Sequence, residues 1–329
     1  MIIGLIDHDR GKLNPLSLEM LSFGRRLAEQ MGVPLEAMLV DASAAAAALA
    51  AGLGAFGVAK VHLVQHEQLD DYAPEGWAQS LAGLVEALKP EAVLGPGSDR
   101  GAEVMAHLAA RMGLPLAANC LEATPGQAGE PFVVTRARWG GSLLEEARLH
   151  GATKFLTIAA HAIAPEKAAA PAEAVVEVVR PELSDKDLRV RITSRVEAAA
   201  GKISLAEAPV VVSGGRGVGS AEGFKPLTEL AELLGGAVGC SRAVTSLGWR
   251  PHLDQVGQTG TRVAPEIYIA CGISGAIQHM VGCKAAKHIL AINIDPDAPI
   301  VAQADYAIIG DLHQVVPALS AAIRQARGG

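Results

Sequence analysis

Few cysteines, few aromatic side chains and no long apolar run set the first limits on this 329-residue chain. Its four cysteines form no C-x-x-C pair, so neither a zinc module nor a disulfide framework is indicated, and buried, reduced thiols are expected. No stretch reaches the ~18 apolar residues that a membrane-spanning helix needs. The segment Met1–Asp7 has neither a basic leader nor an Arg- and Ser-rich transit pattern. We therefore expect a cytoplasmic protein without membrane insertion.

A strongly basic surface is also missing, because 28 Lys and Arg residues stand against 35 Asp and Glu residues. Without a basic patch, nucleic acid is not expected as a partner. Half of the residues are hydrophobic, but only 3% are aromatic. Small and branched apolar side chains suit helices that pack on buried parallel strands.

Short apolar runs alternate with helical patterns in the first part of the chain, which predicts a parallel, doubly wound sheet. An Asn14-Pro15 start and a Gly32 stop bound the first predicted helix. Further helices are predicted in the Ala-rich stretch after Val40, at Trp77–Leu88 and after Asp99. A loop is predicted at His161–Pro171, and the pattern at Leu143–His150 leaves open whether a further strand lies there. The predicted strands are Ile2–Ile6, Leu35–Val40, Val58–Val64, Ala92–Leu94, Phe132–Arg138, Phe155–Ala159 and Val175–Arg180.

Charged residues dominate from Pro181 to Glu207, Arg195 and Glu197 among them, which favours an interdomain connector, although an ordinary solvated helix and loop has the same pattern. A second α/β unit follows. Its predicted strands are Pro209–Val212, Glu266–Cys271, His288–Asn293 and Tyr306–Ile309, and its predicted helices lie at Phe224–Leu234, Ser274–Gly282 and Asp311–Arg327. The fold class is therefore α/β with two doubly wound, mostly parallel sheets. We assign residues 1–200 to a Rossmann-like N-terminal domain with its connector, and residues 201–329 to a C-terminal ligand-binding domain.

Glycines cluster directly after the first strand of this second unit, from Ser213 to Ser220. A turn between a strand and a helix is the right place to meet a phosphate. Its spacing fits neither G-x-G-x-x-G nor a Walker A loop. A tight turn explains the glycines equally well, but it does not explain Arg216.

The run from Cys271 to His279 is a sharper signal, because a strand ends there and Ser274 is a natural N-cap. Small residues at Gly275 and Ala276 would leave the amides of the first turn open to a pyrophosphate. His279 alone would more often be a structural histidine.

Polar side chains also lie in a loop and after two strands of the same predicted unit. Gln258 and Thr259 stand beside glycines, which fits either a surface turn or the approach of a flat ligand. Asn293 and Asp311 follow predicted strands, where each fits either a helix cap or a contact with a ribose. Several such segments at successive strand ends indicate a nucleotide site.

These residues resemble the FAD domain of the electron-transfer flavoprotein alpha subunit. The stretches that carry the resemblance are VVVSGGRGVGS (210–220), GCSRAV (239–244), QVGQTG (255–260), YIACGISGAIQHMVG (268–282), AINIDPDAPI (291–300) and ADYAIIGDLHQVVPAL (304–319). The N-terminal unit resembles the family's first domain more loosely, through strand order and Arg138–Gly141. Ile294 stands where the family commonly has Lys, and Trp249–Asp254 also departs from the family pattern; both bear on partner contacts more than on flavin binding.

The resemblance implies an electron carrier rather than an enzyme, with FAD as cofactor, a flavin semiquinone as intermediate, and neither catalytic residues nor a metal. Its partners would be a beta subunit that holds AMP or a second FAD, an acyl-CoA or related dehydrogenase, as in fatty acid β-oxidation, and a quinone oxidoreductase or other acceptor. The matching positions for FAD contacts are Arg216, Ser241, Arg242, Val256, Gly257, Gln258, Thr259, Ser274, Gly275, Ala276, Ile277, Gln278, His279, Asn293, Asp311 and Leu312.

The resemblance also implies roles along the cofactor. Thr259 would lie near flavin N5, His279 near the C2 carbonyl, and Arg242 would place a positive charge beside the ring. Residues 274–279 would hold the pyrophosphate, and Asn293 and Asp311 would contact the adenosine half. Two other hypotheses remain: an NAD-consuming deacetylase, which would need a zinc module, and a nucleotide-binding regulatory subunit without electron transfer.

Overall fold

The computed structural model describes residues 1–43, 45–127, 129–193 and 203–327. The chain divides into two compact units, Met1–Arg195 and Val196–Gly329. The predicted domain boundary between residues 200 and 201 lies outside the described residues, as do Arg195 and Glu197 of the predicted connector. Among the helices of the described part, none is long and apolar enough to cross a membrane.

The first unit contains eleven strands and four α-helices in its described residues. The strands are β1 (Ile2–Leu5), β2 (His8–Asp9), β3 (Lys12–Leu13), β4 (Leu35–Val40), β5 (Lys60–Val64), β6 (Ala92–Gly95), β7 (Leu116–Thr124), β8 (Phe132–Arg138), β9 (Leu143–Leu149), β10 (Lys154–Ile158) and β11 (Val175–Val179). The helices are α1 (Pro15–Met31), α2 (Ala46–Gly52), α3 (Pro74–Leu88) and α4 (Asp99–Met112). Short 3-10 helices lie at Leu53–Phe56, Trp139–Gly141 and Asp185–Leu188.

Nine of these strands form one sheet in the order β11-β5-β4-β1-β6-β10-β7-β8-β9, and β2 pairs with β3 separately. The sheet is parallel except at β7-β8-β9, so the prediction of a mostly parallel sheet is confirmed. The segment Leu143–His150, for which the sequence left a strand open, contains strand β9. Strand β7 was not predicted, because Asn119 and Glu122 interrupt its apolar residues.

Local sequence sets the ends of the first helix as predicted. The Asn14 side chain accepts a hydrogen bond from the amide of Leu16, and Pro15 occupies the first turn. Gly32 ends the helix with a φ of 64°, a left-handed conformation that glycine adopts without strain. Two buried apolar clusters, one on each face of the sheet, complete the doubly wound arrangement.

The first part of the predicted connector packs on the first unit. Leu188 is buried in one of its apolar clusters. The Asp187 carboxylate, 6% exposed, accepts hydrogen bonds from the Ser184 amide at 2.9 Å and hydroxyl at 2.7 Å, and pairs with Arg111 of α4 at 2.8 Å. Burial opposes ionisation of Asp187, but the bonds from Ser184 and Arg111 outweigh it, so its pKa is lowered.

The second unit contains a five-stranded sheet in which every strand is parallel to its neighbours. Its strands are β12 (Val210–Gly214), β13 (Ala237–Cys240), β14 (Ile267–Cys271), β15 (His288–Asn293) and β16 (Tyr306–Ile309), in the order β13-β12-β14-β15-β16. Its α-helices are α5 (Lys225–Leu233), α6 (Arg242–Ser246), α7 (Ile277–Cys283) and α8 (Leu312–Arg327). Short 3-10 helices lie at Arg216–Val218, Glu222–Phe224, His252–Asp254 and Val301–Gln303.

Two elements of this unit were not predicted, β13 and α6. Both are very short, and Gly235, Gly236 and Gly239 interrupt the apolar pattern around β13. Apolar clusters cover both faces of the sheet, so this unit is doubly wound as well.

Asp187→Asn should lower the free energy of unfolding of the first unit by about 1–3 kcal/mol at pH 7, because a buried carboxylate loses charge-assisted hydrogen bonds. The pKa of Asp187 is lowered in the folded protein. Its stabilising effect is therefore full above the unfolded value of about 3.9 and disappears as the pH falls through the lower folded value. Urea denaturation of both proteins between pH 7 and pH 3 measures the difference.

The exposed neighbour Asp185, changed to Asn, is the matched control for this prediction. Equal losses of stability in the two variants would contradict the assigned role of Asp187. A difference from the unaltered protein that persists at low pH would contradict it as well.

Candidate functional site

A cavity of about 890 Å³ opens in the second unit at the carboxyl ends of its strands. Loops that follow all five strands line it, and the segment 255–259 completes the wall. The sheet order reverses between β12 and β14, because the chain passes from β12 to β13 on one side and then to β14 on the other. Doubly wound sheets bind their ligands at such a switch point.

The glycine-rich loop after β12 packs against the loop after β14. The amide of Gly215 donates to the carbonyl of Cys271 at 2.8 Å, and that of Gly217 to Gly272 at 3.1 Å. A Cβ on Gly215 would lie 2.2 Å from the carbonyl oxygen of Gly272, so this close approach requires glycine. Two amides of the glycine-rich loop thus bind the loop after β14. Arg216, between these two glycines, is exposed and lines the cavity.

The loop after β14 differs from the prediction at its helix start. Ser274 is not the N-cap: helix α7 begins at Ile277, and Ala276 is the capping residue. The Ser274 carbonyl accepts a hydrogen bond from the Ile300 amide at 3.1 Å, and Gly275 has a φ of 84°, which holds the chain out of the helix. Within the described chain, the backbone amides of 274–278 donate no hydrogen bond, so a row of free donors remains.

The segment 255–261 is fixed to α7 and supplies a hydroxyl. The Gln258 amide donates to the carbonyl of Gln278 at 2.7 Å. Gln255, only 2% exposed, donates from its Nε2 to the Thr259 hydroxyl at 2.9 Å and accepts from Thr245 at 2.7 Å. Because Thr259 accepts this bond, its own O–H is free to donate toward the cavity.

His279 lies in the wall of the cavity but is only 7% exposed. Its Nε2 contacts the hydroxyl of Tyr268 at 2.8 Å, whereas Nδ1 has no hydrogen-bond partner among the residues described. Burial lowers the pKa of His279 to about 4, with a smaller opposite effect of the Val256 backbone. At neutral pH the ring is therefore a neutral hydrogen-bonding group.

Two arginines give the cavity its positive charge. In the described part of the chain, neither Arg216 nor Arg242 forms an ion pair or a side-chain hydrogen bond. The lining also contains two carboxylates, Asp295 and Asp311. Each accepts a hydrogen bond from the backbone amide two residues further along the chain. Unpaired guanidinium groups suit a diphosphate or an electron-rich ring.

Asn293 and Asp311 both hold local structure, and each retains capacity for a ligand. Asn293 donates to the carbonyl of Ile273 at 2.9 Å and accepts from the Asp295 amide at 3.1 Å. Asp311 accepts from the amide of His313 at 2.9 Å through one oxygen, as a cap at the start of α8. An amide has a second N–H and a carboxylate has a second oxygen, so both remain possible ligand contacts.

The predicted site residues come together in this one cavity with two exceptions, Gly275 and Ile277. Gly275 packs against Ile300, and the Ile277 side chain is 66% exposed outside the lining. Sequence reasoning missed several residues, most of them neighbours of the predicted ones in the same motifs. These lining residues are Gly215, Gly217, Ala243, Gln255, Gly272, Ile273, Ile294, Asp295, Ala298, Gly310 and His313.

The four cysteines are buried, as predicted. Burial raises the pKa of each thiol to about 12. Across the described ranges, no group of three or more His, Cys, Asp or Glu side chains is arranged to hold a metal ion. The deacetylase hypothesis therefore gains no support from the described residues.

Comparison with known families agrees with the resemblance. Residues 2–185 match the family model described as the electron transfer flavoprotein domain. Residues 204–284 match the model described as the electron transfer flavoprotein FAD-binding domain. These matches confirm the predicted family and its cofactor, FAD.

Known relatives match along almost the whole chain. The electron transfer flavoprotein subunit alpha of Mycobacterium tuberculosis is 40% identical over 328 residues, 99% of each chain. The subunit from Mycobacterium leprae is 38% identical and covers 98% of each chain. The one from Megasphaera elsdenii is 35% identical, over 97% of this chain and 94% of that protein. The chain therefore belongs to the electron transfer flavoproteins, as an alpha subunit that carries the family's FAD-binding domain.

Proposed function

We propose that this subunit holds FAD across the carboxyl ends of β12 to β16 and carries electrons one at a time through a flavin semiquinone. It pairs with a beta subunit that binds AMP or a second FAD. It accepts electrons from an acyl-CoA or related dehydrogenase and passes them to a quinone oxidoreductase or another acceptor. It acts as a carrier and turns over no substrate of its own, and its location in the cytoplasm stays a prediction.

The observation that carries the proposal is the lining of the cavity. All five strand ends contribute, so the cavity is broad enough in outline to meet both halves of a dinucleotide. Its volume of about 890 Å³ lies in the upper range for small-molecule sites. Free amides at 274–278 suit a pyrophosphate, and Arg216 adds a cation near them in the adjacent loop.

A second set of groups suits a flavin ring. Arg242, the Thr259 hydroxyl and His279 line the same cavity. When bound, FAD supplies the redox chemistry, and the protein sets its electronics through nearby charges and hydrogen bonds. A cation and two donors favour added negative charge on the ring, which is what a carrier of single electrons must stabilise.

The direct test is the flavin content and electron transfer of the chain co-expressed with its beta subunit. We expect a yellow heterodimer with stoichiometric FAD on this chain, which is reduced by a matching dehydrogenase and reoxidised by a quinone oxidoreductase. A heterodimer that stays colourless after reconstitution with excess FAD would overturn the proposal. Binding of AMP or ATP in the cavity without flavin would instead support the regulatory alternative.

Arg216→Ala should weaken FAD binding roughly 10- to 100-fold, because a charge-assisted hydrogen bond contributes about 1.5–3 kcal/mol. Fluorescence titration of the apoprotein heterodimer with FAD measures the affinity. Arg262 is an exposed arginine of the same unit outside the cavity lining, so Arg262→Ala is the matched control. Equal affinities of the two variants would remove Arg216 from the site.

Arg242→Ala should leave FAD bound and lower the maximum yield of the one-electron-reduced flavin severalfold, because the positive charge beside the ring is lost. Stepwise reduction with dithionite, followed by absorbance, measures this yield. Arg262→Ala again serves as control. An unchanged yield with full flavin content would show that Arg242 does not act on the ring.

A further inference from the structure

Two buried rings meet beneath the cavity wall, Tyr268 of β14 and His279 of α7. Tyr268 is fully buried and His279 is 7% exposed. The phenol oxygen and the imidazole Nε2 are 2.8 Å apart, a hydrogen-bonding distance. Of this pair only His279 lines the cavity.

The phenol is the donor in this hydrogen bond. Burial raises the pKa of Tyr268 well above its usual value, so the O–H keeps its proton. Tyr268 has no other hydrogen-bond acceptor of good geometry among the described residues. The nearby Ser213 hydroxyl forms no hydrogen bond of good geometry with the residues described, so it does not compete with His279 as the acceptor.

This direction fixes the proton on the imidazole. A neutral histidine has one N–H and one lone pair, and the nitrogen that accepts a hydrogen bond is the unprotonated one. Because Nε2 accepts from Tyr268, the proton of His279 lies on Nδ1. Nδ1 is buried and forms no hydrogen bond of good geometry in the described chain, where the nearby Val256 backbone lies outside that geometry. A buried N–H without an acceptor is unfavourable, so an acceptor brought by a ligand would complete the site.

We propose that Tyr268 is a positioning residue that holds His279 as the neutral Nδ1–H tautomer, so that the ring presents a hydrogen-bond donor to a carbonyl of the flavin. The inference rests on the proposed occupation of the cavity by FAD. A donor at this position strengthens its hydrogen bond as the ring gains electrons, and it thereby raises the midpoint potential. Without Tyr268, Nε2 would be free to carry the proton and Nδ1 to become an acceptor, which repels the same carbonyl.

The test compares Tyr268→Phe with the unaltered protein as the FAD-loaded heterodimer. The change removes the hydroxyl and keeps the ring. We expect FAD to stay bound, the midpoint potential to shift downward in a spectroelectrochemical titration, and the His279 proton to move from Nδ1 toward Nε2. Tyr306→Phe makes the same change at an exposed tyrosine on the edge strand β16 and should move neither quantity.

Two-bond ¹H–¹⁵N correlation spectra of histidine-labelled heterodimer locate the proton, with the His279 signals assigned from their loss in His279→Gln. The unaltered protein should show a protonated Nδ1, and its shift should change when FAD binds. If the ¹⁵N chemical shift of Nδ1 does not change when FAD binds, the Nδ1–H donates to the Val256 backbone and not to the flavin. This result would overturn the inference. So would a protonated Nε2 in the unaltered protein.

The outcomes separate this inference from the proposed function. A flavin-free heterodimer refutes the proposed function. A flavin-loaded heterodimer in which Tyr268→Phe moves neither the potential nor the tautomer refutes only the role of Tyr268. If Tyr268→Phe yields no flavin-loaded protein, the spectra of the unaltered protein with and without FAD still decide where the proton lies.

Discussion

The parallel direction of all five strands in the second unit is the constraint on which the site depends. Parallel strands end at the same edge of a sheet, so every connection that leaves a strand there contributes to one wall. Residues separated by about a hundred positions, such as Arg216 and Asp311, therefore line a single cavity. The strand order reverses between β12 and β14, and doubly wound sheets bind their ligands at the edge where such a reversal lies.

Burial then decides which protonation states this wall presents. His279 is neutral because charging it inside the protein is unfavourable, and Tyr268 keeps its proton for the same reason. Gln255 likewise orients the hydroxyl of Thr259 from a buried position. The arginines of the lining, by contrast, are exposed. The lining of the cavity thus combines two exposed arginines with hydrogen-bonding groups that buried partners hold in place.

The sequence predicted features that depend on a few neighbouring residues. The Asn14 cap, the Gly32 stop and the buried run of β14 follow from local chemistry, and each was found where it was expected. Grouping of the polar segments at one edge also followed, because strand and helix alternation implies parallel strands. Local patterns singled out some of the predicted site residues, such as Arg216 and Asn293, and the resemblance to a family added the others. All of them but Gly275 and Ile277 line the cavity.

Where a feature depends on contacts between distant residues, the sequence pattern led either to no prediction or to a wrong one. The Ser274 cap failed because the amide of Ile300, far along the chain, binds the Ser274 carbonyl and holds it outside α7. Strand β13 exists because β12 and the rest of the sheet lie beside it, and its own four residues indicate little. The sequence pattern shows Tyr268 only as a residue of an apolar strand. The contact of its hydroxyl with His279 depends on the packing of α7 against β14 and could not be predicted.

The donors of the loop after β14 link occupancy of the cavity to the stability of the fold. Nδ1 of His279 and the amides of 274–278 form no hydrogen bond of good geometry in the described chain. A molecule that binds only the folded state shifts the folding equilibrium toward it by an amount that grows with the logarithm of its concentration. The concentration of the dinucleotide in the cell would then set the unfolded fraction of this domain, and with it the rate of its degradation.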